Sequence, residues 1–236
     1  MTLEEVMTVL EKSGTEQTRK TYLRHGAPAD SMFGVKVGDL KPLQKKLKGQ
    51  QELALQLYAT GNSDAMYLAG LIADGSKMTK AQLNRWINGA TWYMLSDHTV
   101  VGVTCESRHA KELAGKWIES KKPLTASAGW STWSGIVATQ PDEDLDFDHL
   151  RMLMQRVVRE IETAPNRVRY AMNGFVISVG VYVKPLLKEA RAVAKSLGKV
   201  EVDMGDTSCK VPVALDYIKK IESMNRIGKK RSTMKC

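Results

Sequence analysis

The sequence predicts an all-α protein, a superhelical solenoid of stacked antiparallel helix pairs. Apolar residues recur with helical spacing along almost the whole chain. Short turn-forming stretches separate the predicted helices, and the second helices of four successive pairs begin near residues 63, 92, 124 and 166. A loose period of about 30 to 40 residues is typical of helical repeat arrays.

The N-terminal part is predicted to hold two capped helices and a basic one. Thr2 and Glu5 have the spacing of a capping box, which opens a short first helix. A second helix is predicted over 15–25, and Gly26 follows it at the position where helices favour glycine. A basic helix is predicted over 39–48.

Four helix pairs are predicted next, and their loose period is typical of repeats of the HEAT type. No matching internal sequence signature occurs, so the repeat is inferred from the lengths of the elements alone. They span 51–60 with 63–74, 79–90 with 92–104, 108–119 with 124–139, and 146–163 with 166–181. Helices at 184–197 and 212–225 complete a single predicted domain over 1–225. Residues 226–236 are predicted to be a basic, flexible tail.

Composition narrows the class of protein. The 236 residues are 43% hydrophobic and 26% charged, which excludes wholesale disorder. No stretch approaches the roughly 18 apolar residues of a membrane span. The three cysteines are far apart and no secretory leader is recognised, so we expect free thiols and a cytoplasmic location.

The net charge of +9 is concentrated at the C-terminus, where residues 219–236 carry +6. This favours a polyanion-binding arm that includes Lys229, Lys230 and Arg231, although a solvated tail without function is the alternative. A second basic cluster is a phosphate-binding strip or a solvated face: Lys36, Lys41, Lys45, Lys46 and Lys48.

The segment from Trp92 to His98 is the strongest candidate for chemistry. Tyr93 and Asp97 share one face of a predicted helix that is apolar over most of its circumference. A carboxylate there either faces a groove or is held by a partner, since an isolated buried charge is costly. In the alternative, Ser96 caps a helix and Asp97 lies in its first turn.

A polar face on the helix over 166–181 is the second candidate. Asn166, Arg169, Tyr170 and Asn173 lie opposite its apolar stripe and could donate to phosphates and sugars. Ordinary solvent exposure is the alternative. The stretch from 201 to 211 reads as a structured loop to which we assign no role.

Other chemistries find little support. No Walker-type loop or GxSxG elbow occurs, so no nucleotide cofactor is expected. Cys105 and His109, with His98 nearby, match no standard zinc spacing, so no metal is expected. Trp130 and Trp133 are predicted to belong to the core rather than to a stacking site.

Four stretches resemble the DNA alkylation repair (AlkD-like) family over most of the chain. They are Tyr22-Leu-Arg-His-Gly26, Phe33-Gly-Val-Lys-Val-Gly-Asp-Leu-Lys41, Trp92-Tyr-Met-Leu-Ser-Asp97 and Ala128-Gly-Trp130. The resemblance implies a HEAT-like superhelix with a concave, basic surface for duplex DNA. It implies a monomeric, monofunctional glycosylase, without cofactor, that releases N3- or N7-alkylated purines without flipping the base.

The resemblance assigns the catalytic carboxylate to Asp97 and the aromatic beside it to Tyr93, where the family has tryptophan. A cationic alkylated purine leaves readily, so the carboxylate has to stabilise the developing oxocarbenium ion and orient water. Aromatic faces can hold the cationic lesion. DNA contacts are then expected from Lys36, Lys41, Trp92, Arg167, Arg169, Asn173 and the tail cations, which would place the protein on the nucleoid or in the nucleus.

Two positions depart from the family. Its arginine falls near Ser127, where Arg167, Arg169 or Lys122 would have to replace it, and its later tryptophan falls at 173–175. Two alternatives to the glycosylase function therefore remain open. One is a non-catalytic binder of damaged or branched DNA, and the other is a helical scaffold for protein partners.

Overall fold

The computed structural model describes residues 1–235, and this part of the chain contains thirteen α-helices and no strand. The predicted all-helical class is confirmed. The described residues form two compact units. The first comprises Met1–His109, Gly205–Ser208 and Lys235, and the second comprises Ala110–Met204 and Cys209–Met234. The single domain predicted over 1–225 stays a prediction.

The first unit contains seven α-helices, one π-helical segment at Met94–Val100, and 3-10 turns at Val37–Leu40 and Gly75–Lys77. The predicted helix over 92–104 is thus mostly a π-helix followed by one short α-helix. The α-helices are α1 Leu3–Ser13, α2 Glu16–Arg24, α3 Lys41–Leu47, α4 Gln51–Ala59, α5 Ser63–Ile72, α6 Lys80–Gly89 and α7 Val101–Cys105.

Side-chain caps explain where several of these helices begin. The predicted capping box of Thr2 and Glu5 is present at α1, and Thr79 forms an equivalent box at α6. Asn62 accepts from two amides at the start of α5. Gly26 has a φ of +84°, which confirms its predicted position after α2.

Helix α5 is the centre of the first unit, since all ten of its residues are buried. It packs against α4 and against the π-helical segment. An apolar helix that is covered on all sides belongs inside a protein rather than at its surface. The position of α5 therefore decides where the π-helical segment lies.

The second unit contains six α-helices. The predicted helix over 184–197 begins as a 3-10 turn at Lys184–Leu186, which contains a proline. The α-helices are α8 Ala110–Ile118, α9 Pro123–Thr139, α10 Phe147–Glu160, α11 Asn166–Tyr182, α12 Leu187–Leu197 and α13 Ala214–Ser223.

Helices α9 and α11 form the core of the second unit. The Trp130 and Phe175 rings lie 5.4 Å apart, and both side chains are fully buried. Trp133 is buried as well, so the predicted core role of both tryptophans is confirmed. Gly129 lets α9 approach α8, because a Cβ there would lie 2.6 Å from the Ile118 nitrogen.

The C-terminal segment contacts the helices of the second unit, while the flexibility predicted for the tail over 226–236 stays a prediction and residue 236 lies outside the described residues. In the second unit the Gly228 amide donates to the Val181 carbonyl, and the Arg231 amide donates to the Ala138 carbonyl. These carbonyls belong to the last turns of α11 and α9, which have no partner inside their helices. Backbone amides of the C-terminal segment thus provide hydrogen-bond donors for carbonyl groups in the last turns of both helices.

No single helix of residues 1–235 is long and apolar enough to cross a membrane. Asn166–Tyr182 and Lys184–Leu197 pass that test of length and composition only as a pair, bent by 111°.

Candidate nucleic-acid interface

The candidate catalytic residues lie on the π-helical segment and at its start. The segment Met94–Val100 is wound as a π-helix, and the Thr99 hydroxyl donates to the Met94 carbonyl at 3.3 Å. Such turns are rare and occur frequently at functional sites. Apolar periodicity did not predict this one, because the pattern of buried residues resembles that of an α-helix.

Asp97 is held inside this segment. Its side chain is 8% exposed, and its Oδ1 accepts from Ser96 Oγ at 2.8 Å. Ser96 is therefore a partner of Asp97 rather than a helix cap, so the capping alternative is wrong. The Asp97 carboxylate presents little surface, and its catalytic role stays a prediction.

A cluster of rings surrounds Tyr93 within the first unit. The Tyr93 hydroxyl lies 2.7 Å from His25 Nδ1, and its ring meets those of Trp92 and His98 edge to face. Trp92 is only 5% exposed and packs against Tyr22 on its other side. The indole is therefore part of the ring cluster, and the DNA contact of Trp92 stays a prediction.

Sequence reasoning missed the residue that holds the neighbouring loop. The buried Asp64 carboxylate accepts from the amides of Phe33, Gly34 and Val35 at 2.7 to 3.0 Å. Burial raises the pKa of Asp64, against the lowering effect of these hydrogen bonds. Gly34 has a φ of +85°, and a Cβ there would lie 2.7 Å from the Thr15 carbonyl oxygen.

This loop leads directly into a row of lysines, which we call the lysine strip. All five side chains are exposed, and within residues 1–235 none of them forms an ion pair or a hydrogen bond. Leu40 and Leu47 anchor the row in the core. The predicted DNA contacts Lys36 and Lys41 are both available here, and the strip comprises Lys36, Lys41, Lys45, Lys46 and Lys48.

The predicted polar face of α11 is largely covered. Asn173 is 1% exposed and donates to the Pro212 carbonyl at 2.8 Å. Arg169 donates to the Glu201 carbonyl at 3.0 Å, and Asn166 exchanges two hydrogen bonds with the backbone of Asp203. Asn173 presents almost no surface and Arg169 is half-buried, and the DNA contacts of both residues stay predictions. Within the second unit, backbone groups of Glu201, Asp203 and Pro212 therefore contact this face.

The two positions that depart from the family lie inside the second unit. Ser127 is fully buried, and its hydroxyl contacts the Arg167 carbonyl at 3.4 Å. Phe175 is also fully buried. Neither position exposes a group to a ligand. Arg167 itself is partly exposed, with its guanidinium 4.4 Å from the centre of the Tyr170 ring.

The tail cations differ in their availability. Lys229 and Arg231 are exposed, and their DNA contacts stay predictions. Lys230 donates to the Val137 carbonyl at 2.9 Å and pairs with Asp142 at 2.8 Å. Its charge is paired at the C-terminal end of α9, and the DNA contact of Lys230 stays a prediction. Lys235 pairs with Glu106 in the first unit.

Burial and the neighbouring Glu106 carboxylate raise the pKa of the Cys105 thiol to about 12, so this thiol is protonated at neutral pH. Within residues 1–235, no group of three or more His, Cys, Asp or Glu side chains is arranged to hold a metal ion.

The fold and these surfaces define a class of helical repeat protein. One solved structure matches with a TM-score of 0.91 and 40% identity over 98% of each chain. It represents "a new family of proteins related to the HEAT-like repeat DNA glycosylases with affinity for branched DNA structures". The predicted fold class, a solenoid of HEAT-like helix pairs, is confirmed by this match.

The particular family follows from the sequence comparison. The model of the DNA alkylation repair enzyme family matches residues 6–197. This chain therefore belongs to the DNA alkylation repair enzyme family, which confirms the resemblance seen in the sequence.

Two curated relatives match along their whole length. An uncharacterized protein of Listeria innocua is 36% identical over 234 residues, which cover 97% of this chain. An uncharacterized protein of Listeria monocytogenes is 35% identical over 232 residues, which cover 96% of this chain.

Proposed function

We propose that this protein binds DNA through the lysine strip and that branched DNA is its preferred ligand. The observation that carries the proposal is that five exposed lysines occur within thirteen residues without a carboxylate or carbonyl partner. Unpaired surface cations are available to replace the counterions of a phosphate backbone, which is the main source of affinity for DNA.

The surrounding loop supports this role. Asp64 holds the backbone of residues 33–35, so Lys36 follows a rigid support. A preorganised cation loses less conformational freedom on binding than one on a mobile segment. The tail offers a weaker site, because Lys230 and Lys235 are already paired.

The preference for branched DNA is supported by similarity to a solved structure. The solved relative with affinity for branched DNA structures is 40% identical and covers 98% of this chain. Burial of Asp97, Ser127 and Phe175 also favours binding without chemistry, since all three positions present little or no surface.

The experiment compares affinities for a duplex and a three-way junction across a salt series. Replacing Lys41, Lys45 and Lys48 by glutamine should reduce the slope of log affinity against log salt by about 2 to 3, because each phosphate contact contributes about 0.9. A matched triple variant replaces three exposed lysines elsewhere: Lys12, Lys20 and Lys188. Equal slopes for the two variants, or equal affinity for duplex and junction, would contradict the proposal.

A second candidate is hydrolysis of the N-glycosidic bond of N3- or N7-alkylated purines in duplex DNA. Membership of the DNA alkylation repair enzyme family favours it, as does the π-helical setting of Asp97 beside Tyr93. In this mechanism the carboxylate stabilises the oxocarbenium ion, and the Tyr93 ring contacts the cationic purine.

Release of free 7-methylguanine from methylated DNA separates the two candidates. The glycosylase predicts release by the wild-type protein and its loss in Asp97→Asn, with DNA affinity retained. Tyr93→Phe should retain release, because the ring rather than the hydroxyl contacts the lesion. If the wild type frees no base while it binds DNA, the protein acts as a binder.

A further inference from the structure

Helices α4 and α6 border a cleft of about 290 Å³ in the first unit. Each helix contributes lining residues three or four positions apart, which therefore share one face of that helix. The lysine strip lies on and beside α3, so the cleft is a different surface. The lining includes Leu55, Tyr58 and Ala59 of α4 and Arg85, Trp86 and Gly89 of α6.

Two stacked rings belong to this lining and join the two helices. The ring centres of Tyr58 and Trp86 lie 4.0 Å apart, and the ring planes are 5° from parallel. The Tyr58 hydroxyl also donates to the Trp86 carbonyl at 2.6 Å. Both residues are nearly fully buried, so this aromatic wall is fixed before a ligand binds. A preorganised surface lowers the entropy cost of binding.

Arg85 supplies a positive charge to the cleft. Its side chain is exposed, and within residues 1–235 it forms no ion pair or hydrogen bond. Among the described residues that line the cleft, Arg85 is the one charged side chain. A mostly apolar cleft with one unopposed cation is complementary to a ligand that is largely apolar and carries one negative charge.

Gly89 leaves room beside the aromatic wall. A Cβ at this position would lie 3.6 Å from Tyr58 Cε1, which is an ordinary van der Waals distance. The backbone therefore tolerates a side chain here, and a larger one would occupy space next to the Tyr58 ring. The volume of the cleft corresponds to the lower end of small-molecule sites, which start at about 300 Å³.

We propose that the cleft between α4 and α6 binds a small aromatic anion, with its rings beside Tyr58 and Trp86 and its acidic group at Arg85. Aromatic rings are favoured next to other rings by edge and face contacts. A carboxylate or sulfonate group accepts charge-assisted hydrogen bonds from a guanidinium. The size of the cleft fits a free small molecule, and this binding goes beyond the proposed binding of DNA.

The test is a fluorescence titration with two probes that share one ring system. Anilinonaphthalene sulfonate is anionic and phenylnaphthylamine is uncharged, and both fluoresce more strongly in apolar surroundings. Arg85→Gln should weaken binding of the anionic probe about twofold to fivefold, the size of an exposed ion pair, and leave the neutral probe unaffected. Gly89→Leu should abolish binding of both probes, because its side chain fills the cleft.

Two matched controls lie outside the cleft. Arg24→Gln removes another exposed arginine of the first unit, on α2. Gly115→Leu adds the same side chain on α8, where a Cβ would meet no atom within 4 Å outside its own helix. Both variants should bind the two probes as the wild type does.

Several outcomes would overturn the proposal. Arg85→Gln changes an exposed side chain, so a folded variant that binds both probes like the wild type shows that Arg85 holds no anion. Full binding by a folded Gly89→Leu variant places the probes elsewhere. Displacement of the anionic probe by a three-way junction would make the cleft part of the DNA-binding surface. Failure of the protein to bind DNA would contradict the proposed function and leave the cleft unaffected.

Discussion

Gly70 of α5 and Thr99 of the π-helical segment are in close contact. A Cβ on Gly70 would lie 2.5 Å from Thr99 Cγ2 and 3.3 Å from its Cα. Only glycine allows this approach, and the Thr99 hydroxyl at the same point donates to the Met94 carbonyl. Contact with α5 thus determines where the segment that carries Asp97 lies.

Gly70→Ala is expected to destabilise the protein by about 1 to 3 kcal/mol, because the added methyl group overpacks this contact. Thermal unfolding should show a loss of roughly 2 to 4 °C per kcal/mol for a chain of this size. Adding Thr99→Ser removes the clashing methyl group, retains the hydroxyl and should recover most of the loss. Thr99→Ser alone is the control, and an unchanged melting temperature for Gly70→Ala would contradict the contact.

Asp64→Ala is expected to cost about 3 kcal/mol, since it leaves three amides of residues 33–35 without an acceptor in a largely buried setting. The melting temperature should fall by roughly 10 °C. Asp39→Ala removes an exposed carboxylate from the following turn and serves as the control, with little change expected. Similar losses for both variants would show that the amides do not depend on Asp64.

Lys229 and Lys230 are adjacent but should respond differently to replacement by methionine. Lys230→Met removes the pair with Asp142 and the hydrogen bond to the end of α9, and should cost about 1 kcal/mol of stability. Lys229→Met should leave the melting temperature unchanged and weaken DNA binding at low salt, because its side chain is exposed. The reverse pattern would place the structural role on Lys229.

The stability of the first unit should depend on Tyr22 at high pH. Burial, with a smaller effect of the Asp64 charge, raises the pKa of Tyr22 from 10.0 to about 12. The folded protein therefore holds this proton more tightly than the unfolded chain does. The contribution is complete below pH 10 and is lost as the pH rises through about 12.

Comparison of the wild type with Tyr22→Phe isolates this contribution. The difference between their melting temperatures should decrease from pH 10 to pH 12. Tyrosinate absorbance of the two folded proteins should be nearly equal at pH 10, because Tyr22 is still protonated there. A difference that stays constant over this range would contradict a raised pKa.

Helix positions followed from the sequence because they depend on local signals. The capping box at Thr2, the glycine after α2 and the apolar stripes of α9 and α11 each act within a few residues. The family resemblance was recognisable for the same reason. Its short stretches contain Tyr22, His25 and Trp92, which meet in one ring cluster.

The candidate site could be predicted only in part. Tyr93 and Asp97 do lie on one helical segment, yet the apolar pattern did not predict its π form or its packing against α5. The polar face of α11 was recognised, although no local sequence pattern predicts that Glu201, Asp203 and Pro212 contact it. Hydrogen bonds between residues more than thirty positions apart have no local sequence signal.

By itself, the sequence determined an all-helical repeat protein of the DNA alkylation repair enzyme family, because helical periodicity and short motifs are encoded locally. Tertiary structure alone decided which charged and polar groups are available to a ligand. Lys230 and Asn173 interact with carboxylate and carbonyl partners, whereas the lysine strip stays accessible. Availability depends on partners that folding brings together from distant parts of the chain, and those partners cannot be read from spacing.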